Sequence, residues 1–325
     1  MKFAEAPGMP IPLLKALTES NQKYKDELSS FLEEHRIGKN DGINHFSVTT
    51  LFRSPRQVQL LQRHRDEIIH KPNDSFFTLK GSIIHYILEM YSPSHWLREE
   101  RLKTIRKIGD ERVMLHGQPD AYDPITKELW DWKYVSGISV RYDRPEHKLQ
   151  LNILRFLFEK NNMPVDSLKN CYIIERLDPK YLNDPTYPKE NWMVKEHEIM
   201  RKSEVANYVD TRLQIHLNEI SKSDKDLPFC TDSERWIRSN EFVVYKRKNG
   251  SKKAPIQDWS SRSIFRGESR SEALEFLASA KIEQETKIVE VKGYPKACDF
   301  CLALPFCNQR QKELLQEAEK TSGLH

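Results

Sequence analysis

The sequence predicts an α/β fold: a mixed sheet flanked by helices, followed by a cysteine-clustered C-terminal region. Three observations carry that expectation. Helical periodicity over 81–91 and 144–160 alternates with strand-like runs over 112–134 and 170–175. A turn signal, Asp-Pro-Ile-Thr at 123–126, folds the first of those runs into a hairpin. Three of the five cysteines, Cys298, Cys301 and Cys307, fall within ten residues near the C-terminus.

The remaining elements follow in order. Pro7, Pro10 and Pro12 precede a charged helical stretch over 13–36, and 38–42 reads as a loop. Ser47 offers a hydroxyl cap to a helix beginning at Val48. A basic run follows, from Arg53 and Arg56 to Arg63, His64 and Arg65. Over 81–91 the apolar stripe is Ile83, Ile84, Ile87, Leu88 and Tyr91, with His85 and Glu89 flanking it on a shared face. Residues 113–117 run as a strand toward Asp120, and 129–134 return as the hairpin partner. Over 144–160, Leu149, Ile153, Phe156 and Leu157 point inward. A long amphipathic helix is expected over 196–220. Beyond Asp226 come a strand at 242–246, a helix at 271–280, a strand at 287–291 and a closing helix at 309–320. There is no internal repeat. Three segments result: an N-terminal helical extension (1–46), a core (47–222) and the C-terminal region (223–325).

Composition narrows the class. The chain has 325 residues, 38% hydrophobic and 31% charged, enough for one or two domains with a sizeable core. No apolar run approaches the roughly 20 residues that span a bilayer, and the first residues lack a signal peptide's apolar stretch. Membrane and secreted readings are set aside. Lys plus Arg total 52 against 48 acids, a net +4 that neither requires nor opposes a nucleic-acid partner. An odd cysteine count without an export signal disfavours a closed disulfide set and favours metal or cluster ligation.

The chemistry centres on Asp131-Trp132-Lys133. Alternation along a strand puts Asp131 and Lys133 on one face and Trp130, Trp132 and Tyr134 on the other. A buried carboxylate and ammonium must be paired or must serve a metal. Alone, such a triplet is near chance frequency and reads as a surface ion pair, and His85 alone reads as a satisfied core histidine. The hairpin changes this by bringing Asp120 beside Asp131 and Lys133. Two carboxylates meeting there form a hard-oxygen site for Mg²⁺ or Mn²⁺. Such a metal polarises a phosphate and activates a water. Lys133 would orient that water or stabilise developing charge. His85 would add a nitrogen ligand, which favours Mn²⁺.

The order Gly81-x-x-x-His85, Gly117-x-x-Asp120, Asp131-x-Lys133 and then Gln150 on a following helix resembles the PD-(D/E)XK nuclease superfamily. It looks most like the RecB-type branch, which includes CRISPR-associated exonucleases and many phage exonucleases. The resemblance covers about 47–160. It implies a restriction-endonuclease-like core in which His85, Asp120 and Asp131 ligate the metal, Lys133 is catalytic and Gln150 helps place DNA or the active-site elements. Leu154 stands where the family often has a tyrosine. The implied activity is a Mg²⁺- or Mn²⁺-dependent deoxyribonuclease, of exonuclease type, serving recombination, repair or phage DNA processing. The implied setting is the cytoplasm of a bacterium or a phage-infected host. No G-x-x-x-x-G-K-[S/T] run is present, so a helicase or recombination partner would be a separate chain. The competing reading is a non-catalytic DNA-binding or assembly subunit that keeps the fold.

Cys298-x₂-Cys301-x₅-Cys307 suits tetrahedral zinc or an iron–sulfur cluster; the alternative is three cysteines packed as small hydrophobes. The spacing resembles the ending of RecB-type iron–sulfur nucleases, which favours a 4Fe–4S cluster over Zn²⁺. Those relatives often place a partner cysteine before the core, where this chain has Ser54. Cys230 is then the expected fourth ligand, the alternatives being Cys171 or a non-cysteine ligand, and Cys171, inside an apolar strand, is expected in the core. Arg53, Arg56 and the basic tip Lys246, Arg247 and Lys248 are candidate phosphate contacts, or else solvated loops.

Overall fold

A computed structural model of the chain describes residues 2–3, 43–70, 76–142, 144–237, 240–247, 259–260 and 262–322. The expected helix at 13–36, the loop at 38–42 and Lys248 lie outside the described residues. The chain divides into two compact units, Met1–Leu227 and Pro228–His325.

The first unit runs β1 (Lys2–Phe3), β2 (Asn44–Ser47), α1 (Pro55–Arg63), β3 (Ile69–His70), α2 (Phe76–Tyr91), β4 (Leu97–Arg98), β5 (Leu102–Ile108), β6 (Glu111–Gly117), β7 (Ala121–Asp123), β8 (Glu128–Val135), α3 (Pro145–Lys160), β9 (Ser167–Ile174), β10 (Trp192–His197) and α4 (Lys202–Leu217). Five strands form one sheet in the order β10-β9-β8-β7-β4. Its β8–β9 pair is parallel and the others are antiparallel. A second sheet has the order β2-β6-β5, with β2 parallel to β6 and β5 antiparallel to it. β1 and β3 pair in parallel. The architecture is therefore α/β, with mixed sheets flanked by helices.

Helix α3 is the hub. Leu151, Ile153, Leu154, Phe156, Leu157 and Phe158 are all buried in the core, and with Asn152 and Arg155 they make the second half of the helix buried all round. Each such apolar side chain stabilises the fold by about 1.5–3 kcal/mol when fully buried. β9 supplies the facing surface by strict alternation: Leu168, Asn170, Tyr172 and Ile174 are buried, and the residues between them are not. Ser47 caps as expected. Its Oγ accepts from the Thr50 N–H at 3.1 Å and opens a short 3₁₀ turn, Val48–Phe52. Ser54 caps α1, with Pro55 at the first helical position.

Three expectations are corrected. Arg56 is fully buried, with Nη1 donating to the Leu227 carbonyl at 2.5 Å, and is not a DNA contact. Helical spacing puts Arg56 and Arg63 on the inner face of α1, where backbone carbonyls and Asp224 receive them; Arg63 Nη1 lies 2.7 Å from Asp224 Oδ1. The helix expected from 196 begins only at Lys202. Glu196 and His197 end strand β10, and the Glu204 carboxylate accepts from the Arg201 N–H at 3.2 Å, fixing the helix start. The stripe on α2 does not point inward throughout, because Ile83, Ile87 and Tyr91 are exposed. The helix turns Gly81, Ser82, His85 and Glu89 toward a cavity instead.

In the second unit β11 (Glu241–Lys246) lies between β12 (Phe265–Gly267) and β13 (Thr286–Val291), antiparallel to both. Val243, Val244 and Ala273 of helix α5 (Arg270–Ser279) are buried, and Phe265 stacks on Phe276 with centroids 4.7 Å apart. Helix α6 (Asn308–Ser322) closes the described chain. Among the described residues no helix is long and apolar enough to cross a membrane.

Candidate active site

The β7–β8 turn is held by Asp123. Its carboxylate accepts from the Ile125 N–H at 2.9 Å and from the Thr126 hydroxyl at 2.8 Å. Ala121 pairs with Trp130 in that hairpin, so Asp120 lies just beyond the pair, beside Asp131. Asp120 Oδ2 accepts from the Trp132 N–H at 2.5 Å, which locks the two segments together. On β8, Lys133 Nζ donates to Asp131 at 2.7–2.8 Å, and Gln150 Oε1 on α3 lies 3.4 Å from the same ammonium. From β9, Asn170 Nδ2 donates to Asp131 Oδ2 at 2.6 Å, and Asn170 is itself paired with His197 at 2.7 Å. On α2, His85 Nδ1 lies 3.3 Å from Asp120 Oδ1. His85, Asp120, Lys133 and Gln150 line one cavity of about 630 Å³.

Gly117 makes this closeness possible. A Cβ there would stand 2.7 Å from Val48 Cγ2 and 2.9 Å from both Leu154 Cδ2 and Leu157 Cδ1. The glycine of Gly117-x-x-Asp120 thus lets α3 pack directly on the end of β6.

The charges are mutually dependent. Burial pushes the Asp131 carboxyl up to about 6, against the pull of Lys133 and with a further push from Asp120. Burial works to lower the Lys133 pKa, but the Asp131 and Asp120 charges outweigh it, so the ammonium is held above its ordinary value. For His85 burial again works downward, and the Asp120 hydrogen bond together with the Asp120 and Asp131 charges turns the net shift upward.

One residue was not legible in the sequence. His85, Glu99 and Asp120 each offer a ligand atom, and the three atoms lie within 4.8 Å of one another. Glu99 follows β4 with φ +49°, and its N–H donates to the Asp120 carbonyl at 3.3 Å. Nothing in Glu99-Glu100-Arg101 distinguishes it from a solvated charge run. An imidazole nitrogen and carboxylate oxygens are donors suited to Mn²⁺ or Mg²⁺, whose bonds of about 2.1 Å would draw the three atoms to within about 4.2 Å of one another.

In the second unit, Cys298 lies in the turn Lys296–Phe300, and the Cys301 N–H donates back to its carbonyl at 3.2 Å. The next turn, Leu304–Phe306, delivers Cys307. Gln309 brackets Cys230: Oε1 accepts from the Cys230 N–H at 2.9 Å and Nε2 donates to its carbonyl at 3.0 Å. Cys230 is thereby tied to the chain just beyond Cys307. None of the four is in a disulfide, and thiols are the donor chemistry of a Cys₄ centre. Cys171 belongs to β9 of the first unit, where burial pushes its thiol pKa up and away from thiolate ligation.

Among the candidate phosphate contacts, Arg53 and Lys246 are exposed. The Arg247 guanidinium is engaged with Glu285 at 2.5 Å.

No family model matches the chain, and no curated protein matches it. Among solved structures, one described as the crystal structure of SSO0001 is similar to this chain, with 18% identity and a TM-score of 0.40. It covers 60% of this chain and 87% of that one.

Proposed function

We propose that the chain is a Mg²⁺- or Mn²⁺-dependent deoxyribonuclease of the PD-(D/E)XK type, acting as an exonuclease in recombination, repair or phage DNA processing. One observation carries the reading. Lys133 is paired at 2.7 Å with the buried Asp131 and reaches toward Gln150, on the wall of the cavity that also holds His85 and Asp120. Buried charges arranged this way need a chemical reason, and phosphodiester hydrolysis supplies one.

His85, Asp120 and Asp131 are the residues read as the cation's ligands. A divalent cation there supplies Lewis acidity and a bound water of lowered pKa. The chain's own groups do the rest. Lys133 stays protonated and presents a fixed positive charge where a scissile phosphate gains negative charge. Gln150 and Asp131 hold that ammonium in place, and Asn170 with His197 holds Asp131. The walls of the cavity align the nucleotide end. Cys230, Cys298, Cys301 and Cys307 are read as the ligands of a 4Fe–4S cluster, with Zn²⁺ as the alternative, stapling the second unit. DNA is the substrate, a helicase or recombination partner would be a separate chain, and the proposed location is the cytoplasm.

The test is cleavage of end-labelled single- and double-stranded DNA by anaerobically purified protein with Mn²⁺, beside Lys133→Ala. Wild type should release label, and the variant should be slower by about 100-fold or more while still binding DNA. Equal cleavage by both would reject the site assignment. DNA binding without cleavage by wild type would leave a non-catalytic DNA-binding or assembly subunit.

A further inference from the structure

We propose that Glu99 is a ligand of the divalent-cation site, and that Gln118 and Arg101 are its positioning residues. This inference rests on the metal-dependent reading above. It assigns a residue outside every motif that suggested that reading.

The geometry separates the carboxylates. Asp131 has both oxygens engaged: Oδ1 receives Lys133 at 2.8 Å and Oδ2 receives Asn170 at 2.6 Å. It is also the most buried, with its side chain 5% exposed against 17% for Asp120. Glu99 and Asp120, by contrast, present ligand atoms that cluster with that of His85 inside 4.8 Å. Both lie on the wall of the cavity.

Glu99 is aimed by a short relay. Gln118 Nε2 donates to Glu99 Oε2 at 2.7 Å, and Arg101 Nη2 donates to Gln118 Oε1. Gln118 can donate to the carboxylate because Arg101 occupies its carbonyl end; the flipped amide would set two donors face to face. The relay orients Glu99, which suits a residue that must also face a cation. Gln118 and Asp120 occupy the same four-residue segment, so one loop delivers a ligand and the holder of another. The Glu99 N–H bond to the Asp120 carbonyl, at 3.3 Å, fixes the spacing between the two. Glu99 would add a third carboxylate to Asp120 and Asp131 beside the one imidazole nitrogen of His85, a donor set with a preference for Mn²⁺ over Mg²⁺.

The experiment titrates Mn²⁺ into the anaerobically purified full chain, freed of divalent cations, and follows free Mn²⁺ by its electron paramagnetic resonance signal. Glu99→Gln and Asp120→Asn should each weaken Mn²⁺ binding by about 10-fold or more, and Glu100→Gln should bind as wild type does. Gln118→Met, which keeps the volume and loses the amide, should weaken binding by several-fold with an unchanged melting temperature. Wild-type Mn²⁺ affinity in Glu99→Gln, with loss in Asp120→Asn, would overturn this proposal and leave the nuclease reading standing. Wild-type affinity in Gln118→Met would overturn the positioning role even if Glu99→Gln fails to fold. No Mn²⁺ binding by wild type would overturn the metal-dependent reading itself and this assignment with it.

Discussion

Lys133 keeps Asp131 charged at neutral pH. Burial alone would drive the carboxyl well above its ordinary value of 3.8, and with Lys133 in place it reaches about 6. Replacing Lys133 by Met removes the main counterweight, so the Asp131 pKa rises further. A carboxyl whose folded pKa exceeds its unfolded one contributes stability that is fully present below about pH 4. That contribution is lost as pH climbs through the folded pKa. In wild type the loss ends soon after pH 6; in Lys133→Met it continues upward. The stability gap between the two proteins should therefore be small at pH 5 and reach about 1–3 kcal/mol at pH 8, measured by urea unfolding. A gap independent of pH would mean that Asp131 does not depend on Lys133. At this scale the sequence shows His85, Asp120, Asp131, Lys133 and Gln150, because motif spacing survives without knowledge of the fold. It hides Glu99, whose neighbours are ordinary surface charges, and it misplaces Arg56. A basic run does not say which of its members faces a backbone carbonyl 171 residues away.

Elements carry these residues, and two glycines show how differently. Gly81 has open space where a Cβ would stand, and it lies inside α2. Gly81→Ala should therefore stabilise the protein by about 0.5–1 kcal/mol through helix propensity. Gly117 has three side-chain atoms within 3 Å of that position, all from residues of the core. Gly117→Ala must push α3 or the Val48 turn outward, at a cost of about 1–3 kcal/mol. Because Gln150 stands one turn before Leu154 on α3, the same change should also slow DNA cleavage. Urea unfolding of both variants, beside the end-label assay, checks the pair; equal stabilities would deny the close packing of α3 on β6. The same physics explains what periodicity could reveal. α3 and β9 are buried by strong apolar contrast and are legible. β5 is not, since Leu102, Ile105 and Ile108 recur every third residue and polar or charged residues fill the gaps. Its strand identity comes from pairing with β6, a tertiary cause. β10 is obscured in the same way, because Glu196 and His197 continue smoothly into the polar pattern of α4.

At the scale of the whole molecule, the α/β class and the cysteine-rich ending are legible, whereas the parallel pairing of β2 with β6 is not, because local pattern carries no information about which distant strand lies alongside. The division near Leu227 matters for the cysteines. The three clustered ones and Cys230 belong to the same compact unit, and Cys171 belongs to the other. The second unit has few fully buried apolar side chains, chiefly Val243, Val244, Ala273 and Ala303 among its described residues. A small apolar core gains from a staple, and a bound metal centre contributes its binding free energy to folding. If the four thiols hold a 4Fe–4S cluster, anaerobic protein should be brown and carry about four irons per chain. Cys230→Ala should lower the iron content by about half or more, since Gln309, just past Cys307 in the chain, hydrogen-bonds the Cys230 backbone, while Cys171→Ala should leave it unchanged. Removing the iron should expose the second unit to limited proteolysis before the first, because only the second loses a staple. Stoichiometric zinc without iron would replace the cluster with a Cys₄ zinc site. Iron retained in Cys230→Ala and lost in Cys171→Ala would contradict the assignment drawn from the Gln309 bracket, since a thiol kept protonated by burial would then be the ligand.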